Sequence, residues 1–264
     1  MLGILYAITS AACFGFNNAS ARRAALSGTA IQGLVTSMVA GCILFLACTI
    51  AFGELSALSH MSMTDVGFLC AAGFAHFAWG RYWNIRALGA IGSNLAAPVQ
   101  QYQLLLSLSL AIIFLGESLT PMKVLGIVLV VAAPAYILQR RSTARRAAAR
   151  AAKAVGADAA VSEPVPKPKF TPRLVEGYTC TLLSGLGFGS SSVLAKAGLA
   201  STGAGFAGGL VSYICATCVV AAVLLLPGKL TEVVSMRGET RKWFIFSGTA
   251  VSFSQMFRYL ALSV

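Results

Sequence analysis

Apolar residues fall in long runs separated by short polar breaks. Runs at 2–21, 30–52, 66–85, 95–115, 121–138, 174–195, 204–226 and 243–264 carry few charges. Each has the length that crosses a hydrocarbon core of ~30 Å as a helix, about 20 residues. A membrane strand would need only about 10 residues of alternating polarity, and the runs show no such alternation. The pattern predicts an all-α integral membrane protein with eight transmembrane helices. The first run could be taken for a signal peptide. It lacks a basic leader, and it ends in Asn17, Asn18, Arg22 and Arg23 instead of small residues, so it reads as a retained helix.

Part of the pattern occurs twice. Gly3, Phe14, Gly15, Asn17, Asn18 and Arg22 return 174 positions later as Gly177, Phe188, Gly189, Ser191, Ser192 and Lys196. After a two-residue insertion, Gly33-Leu34-Val35-Thr36 returns as Gly209-Leu210-Val211-Ser212. Five runs precede the basic segment 139–173. An odd number turns the second copy upside down relative to the first, which predicts an inverted repeat with a site between the halves. The expected units are a five-helix repeat over 1–138, a basic Pro/Ala-rich linker over 139–173, and an incomplete repeat of three helices over 174–264.

Composition sharpens this picture. The chain is 57% hydrophobic and only 11% charged, against about 25% charged in soluble domains. The net charge of +12 is concentrated in 139–173, where Phe170 is the single aromatic among the basic residues, so nucleic acid is not an expected partner. Anionic lipid headgroups are. Lys and Arg mark the cytoplasmic side. Placing 139–173 inside puts Arg22, Arg23, Arg86, Lys229, Arg237, Arg241 and Lys242 there too, and leaves Lys123 and Lys196 outside. The expectation is a cytoplasmic-membrane protein with its N-terminus outside. All seven cysteines lie inside runs, so no disulfide framework follows. The Cys215/Cys218 pair lacks further ligands for a metal, and no cofactor is expected.

Polar side chains at membrane depth usually face a cavity or a neighbouring helix. Asn17 and Asn18 read either as interhelical hydrogen-bond partners or as part of a solute path. Gln100, Gln103 and Ser107 share one helical face, one turn after Pro98, whose missing N–H frees a carbonyl of the preceding turn. They form a binding wall or a polar seam. Arg81, among Trp79, Tyr82 and Trp83, is either an anchor reaching the headgroups or a cationic group drawing anionic or zwitterionic solutes. Arg258, between Phe257 and Tyr259, sits similarly in the last run. An offset of 177 pairs it with Arg81, whereas 174 pairs it with Asn84. His76 is a titratable candidate or a packing residue. Glu117 reads as an anchor accepting N–H bonds from the helix beginning near Pro121, with proton coupling as the alternative.

These residues resemble the EamA family of the drug/metabolite transporter superfamily. Phe14-Gly15-Phe16-Asn17 with Arg22, and Phe188-Gly189-Ser190-Ser191 with Lys196, are similar to that family's first-helix signature, with Phe in place of its common Trp. Ala87-Leu88, Ala96-Ala97-Pro98, Leu115-Gly116-Glu117-Ser118-Leu119-Thr120 and Gly126 match a further ordered series. The resemblance gives Gly15, Pro98, Gly116, Glu117 and Gly189 structural roles. It implies ten helices where eight are counted, the partner of 95–138 being the missing part, as in a fragment or truncated gene. It implies a secondary transporter of amino-acid-like, nucleoside-like or drug-like solutes, with a homodimer as a compatible assembly. The rival readings are a non-functional truncated paralogue and a non-transporting membrane subunit. No HExxH, GxSxG or Walker A motif occurs, and an enzyme is not expected.

Overall fold

The computed structural model describes residues 1–116, 118, 120–121, 123–129, 132, 136, 139–140, 143, 147 and 171–263. The described residues are helical, with no strand among them. Helix α1 spans Leu2–Ala24 and α2 spans Ala30–Ala51. Helix α3 is continuous over 63–91, with a π segment Phe74–Gly80 between the α-helical Met63–Gly73 and Arg81–Ile91. Helix α4 is Ser93–Leu115, interrupted at Gln101. Then follow α5 at Leu174–Leu199, α6 at Gly205–Leu224 and α7 at Gly238–Ser263. Of the expected run 121–138, the described stretch 123–129 is helical. Glu117 and most of the linker 139–173 lie outside the described residues.

Of the eight expected spans, the described residues bear out three by length and apolarity. Among the described residues, three helices are long and apolar enough to cross a membrane: Ala30–Ala51, Ser93–Leu115 and Gly205–Leu224. The physical reason lies in what the other helices bury. Helices α1, α5 and α7 spend positions on Asn17, Ser184, Ser191, Ser247 and Gln255, all buried, and carry charges near their ends. Their outward faces remain apolar, with Ile4, Leu5 and Ile8 exposed on α1, alongside Ile43, Leu46 and Ile50 on α2. A water-facing surface rarely carries so much contiguous apolar area; lipid tails cover it at no cost.

Local chemistry sets the helix ends. Thr29 and Gln32 form a reciprocal capping box at the start of α2, with Thr29 N–H donating to Gln32 Oε1 at 3.0 Å. Ser62 and Asp65 do the same for α3. Gly92, at φ 77°, turns the chain from α3 into α4, and Gly116, at φ 65°, ends α4 in the left-handed conformation, where a Cβ would be strained. Pro98 lies inside α4, and the helix breaks three residues later, where Leu104 N–H reaches Gln101 O at 3.0 Å in a tightened turn.

Asp65 ties this end of the bundle together. Its Oδ2 accepts from Ser201 Oγ at 2.7 Å, on the α5–α6 loop, and from Ser62 Oγ at 2.7 Å. Those bonds, Ser201's first and then those of Ser62, hold its carboxyl below the usual carboxylate range. A depressed folded pKa stabilises the fold above the unfolded pKa and loses that contribution as pH falls through the folded value. The Asp65→Asn variant should therefore melt below the parent at pH 7 in detergent, and the gap should close as pH drops below about 4. An equal gap at both pH values would show that the charge plays no part.

Long-range packing crosses the chain's two halves. Helix α1 lies along α7, α5 along α3, α2 against both α6 and α7, and α4 against α5. Lipid removes the hydrophobic drive between helices, so close contact and interhelical hydrogen bonds hold them together. At the α2–α6 crossing, the Tyr213 ring occupies the space above Gly41 and the Phe45 ring that above Gly209. Phe77 stacks on Tyr213 at 3.9 Å. At the end carrying the basic residues, Arg22 Nη1 donates to the carbonyls of Leu88 and Gly89 at 2.7 and 3.1 Å. Glu176 pairs there with Arg86 and Arg173 at 2.8 and 2.9 Å.

Candidate functional site

A cavity of about 690 Å³ opens between α1, α4, α5 and α7, with His76 of α3 in its wall. Its shape depends on three local features. The interruption of α4 at Gln101 lets both parts of that helix stay against α5. Trp79 Nε1–H donates to Leu183 O at 3.0 Å, and the Tyr102 hydroxyl donates to Leu182 O, which fastens α3 and α4 to the same turn of α5. Glycines bring the backbones close: a Cβ on Gly189 would stand 2.9 Å from Gln103 O, and one on Gly187 would stand 3.1 Å from Gly80 Cα. Gly15, the partner of Gly189 at the 174 offset, lines the cavity and has nothing within 4 Å of a built Cβ.

Asn18, His76, Gln100, Gln103, Ser107 and Arg258 all line this space. Gln100 is fastened by its Nε2, which donates to Ser184 Oγ at 2.8 Å. Gln103 Oε1 has no partner among the described residues. Asn18 Oδ1 accepts from Asn17 Nδ2 and Asn84 Nδ2 at 3.2 and 3.3 Å. Ser10, Ser192, Ser254 and Gln255 also line the cavity and were not singled out from sequence. Two signals could have found three of them. Ser192 is the repeat partner of Asn18, and Ser254 and Gln255 precede Arg258 by one helical turn.

The two arginines differ sharply. Arg81 is 1% exposed, and it does not line the cavity. Its Nε donates to Ser37 Oγ at 2.9 Å, Nη1 to Asn17 Oδ1 at 2.7 Å and Nη2 to Ser247 Oγ at 2.9 Å. Ser247 Oγ–H in turn donates to Asn17 Oδ1 at 2.7 Å. One guanidinium thus joins α1, α2, α3 and α7, and Asn17 is buried beside it as an acceptor. A π turn changes which way flanking residues face: His76 within the segment looks to the cavity, and Arg81 just after it looks to α1, α2 and α7.

Arg258 Nη1 lies 3.2 Å from Ser191 Oγ, 3.3 Å from Ser192 Oγ and 3.3 Å from His76 Nδ1. Its Nε and Nη2 have no partner among the described residues, nor does His76 Nε2. Ser191 stands 174 positions after Asn17, the residue that Arg81 reaches, so in contacts the 177 pairing of the two arginines is the matching one. No acidic side chain is among the lining residues, and no group of three or more His, Cys, Asp or Glu could hold a metal among the described residues.

These features are a mainly apolar cavity with several polar side chains in its wall, within an apolar-faced bundle. A comparison with curated proteins gives no match. A comparison with protein families matches residues 1–139, just over half of the chain, to the EamA-like transporter family, and with the helical bundle and its apolar spans the chain belongs to that family as a multi-pass membrane protein.

Proposed function

We propose that the chain moves a small metabolite- or drug-like solute across the cytoplasmic membrane by alternating access, driven by a solute or proton gradient. The observation that carries this reading is the 690 Å³ cavity, whose walls hold side-chain amides, hydroxyls and Arg258 within the helical spans. Such groups are costly in hydrocarbon and persist where they meet water or a solute. The crossed packing supports the rocking motion. The repeat-matched helices α1 and α5 each lie on the third long helix of the other half, α7 and α3, as two units related by an axis in the membrane plane would arrange them. The ion pairs of Glu176 and the Arg22 contacts close the bundle at its basic end, and these must part for the opposite opening. The linker 139–173 lies on the cytoplasmic side in this reading, where its charge meets anionic lipid.

Purified protein in proteoliposomes should show saturable exchange of at least one member of a panel of radiolabelled metabolites. Ser107→Trp fills the cavity from α4. It should abolish exchange while leaving the melting temperature within a degree or two. Exchange that survives Ser107→Trp would place the solute path elsewhere, and absence of exchange across the panel would favour a non-transporting membrane subunit.

A further inference from the structure

A second cavity, a groove of about 400 Å³, opens between α4, α5, the helical stretch 123–129 and the end of α7. Leu104, Leu108, Ala111 and Leu115 line it at the three- and four-residue spacing of one face of α4. Ile127, Val193 and Leu262 complete the apolar lining. Gly126 has nothing within 4 Å of a built Cβ, so the space beside it is unfilled among the described residues. From Leu104 to Leu115 the stripe is about 16 Å long, at ~1.5 Å per residue. That is the hydrocarbon depth of one leaflet, half of ~30 Å.

The groove carries charge at one end. Lys196 lies in the last turn of α5 and Lys123 follows the end of α4, and both line it. Helices α4 and α5 both start at the basic end, where a Cβ on Gly92 would stand 3.4 Å from Arg22 Nε and where Glu176 pairs with Arg86. The two lysines therefore lie at the opposite end of the bundle. Towards the middle, Ser107, Ser192, Leu104 and Leu262 line both this groove and the 690 Å³ cavity, so the groove flanks that cavity.

From this juxtaposition we infer that the groove is a binding site for one anionic phospholipid, taken from the leaflet opposite the basic end. Its phosphate lies between the two ammonium groups, compact point charges with three donors each. Their methylene stems rest on the apolar wall. One acyl chain runs down the α4 stripe, and its tip reaches Ser107 and Ser192, where it closes the side of the 690 Å³ cavity towards the bilayer. Two cations above an apolar slot fit a charged amphiphile better than a free anion, which has nothing to place in the slot.

The probe is phosphatidylglycerol with a photoreactive diazirine on one acyl chain, present in trace amount in phosphatidylcholine nanodiscs that hold the chain. Adducts located by peptide mass spectrometry should concentrate in 104–115 and 192–196. Unlabelled phosphatidylglycerol should displace them at about tenfold lower concentration than zwitterionic phosphatidylethanolamine. Lys123→Gln combined with Lys196→Gln should cut the groove adducts about tenfold and spare those in the basic segment 139–173. Ala111→Trp fills the slot and keeps both charges. It should also remove the groove adducts, and it serves if the lysine pair fails to fold. Equal displacement by the two lipids, groove adducts unchanged in the folded variants, or adducts confined to 139–173 would overturn the inference. A second copy of the chain seated in the groove would exclude the lipid, leave the groove without adducts, and overturn it as well.

Discussion

Replacing Arg81 with alanine should cost the folded protein about 2–5 kcal/mol, the range of large-to-alanine substitutions in a packed core. Three terms compete. Each lost charge-assisted hydrogen bond, to Ser37, Asn17 and Ser247, removes about 1.5–3 kcal/mol. Releasing a buried guanidinium that has no carboxylate partner returns several kcal/mol of desolvation. These two roughly cancel, because Ser37 Oγ–H still donates to Gly33 O and Ser247 Oγ–H to Asn17 Oδ1. The void then decides, at the one point where α1, α2, α3 and α7 meet. Arg81→Met refills most of the volume without the bonds, so it should recover most of the lost stability. Thermal melts in detergent, read by the loss of monodisperse protein, check both variants. If Arg81→Ala melts with the parent, the four-helix junction is not held by this residue. Solute exchange should follow the folded fraction of Arg81→Ala and no more, because Arg81 does not line the cavity.

Gly73→Ala should cost about 3 kcal/mol, at the upper end of overpacking effects. An added Cβ would overlap the Ser212 carbonyl oxygen and stand 2.8 Å from that residue's carbonyl carbon and Cα. Those are backbone atoms, so no rotamer change relieves the clash and α3 and α6 must separate. Separation also stretches the bond from Ser212 Oγ–H to Leu69 O, 2.8 Å, and loosens the one from Tyr259 OH to Ser212 Oγ, 2.7 Å. Gly67, two turns earlier on α3, has nothing within 4 Å of a built Cβ. Gly67→Ala should be neutral or gain up to about 1 kcal/mol from helix propensity. The same melts compare the pair, and a Gly73→Ala variant as stable as Gly67→Ala would refute the close approach.

The helices themselves were legible in the chain. The starts of α2 and α3 follow from Thr29–Gln32 and Ser62–Asp65, and the end of α4 from Gly116, because caps and left-handed glycines act within a few residues. That Gln100, Gln103 and Ser107 share one helical face was legible for the same reason, helical periodicity. The two arginines were not separable. Arg81 and Arg258 have similar aromatic neighbours in sequence, yet one is closed by three helices and the other faces a cavity. His76 and Asn17 shared that ambiguity, and the structure sends them to different places. The three sufficiently apolar spans among the described residues, beside the eight runs expected, show the same limit. Hydropathy averages over a helix, while burial of Ser, Asn and Gln depends on which neighbour each one meets.

By itself the sequence determined an all-helical membrane chain, which follows from length, hydropathy and local backbone chemistry that need no knowledge of neighbours. The family resemblance rested on motif residues such as Phe14-Gly15-Phe16-Asn17 and Ala96-Ala97-Pro98. Only the tertiary structure decided which cation is a structural pin and which lines the cavity. That distinction rests on hydrogen bonds between residues as far apart as Asn17 and Ser247, and on a cavity whose walls come from five helices. Hydrogen-bond closure at membrane depth is a property of the packed bundle, since each donor is satisfied or left open by side chains that other helices bring to it.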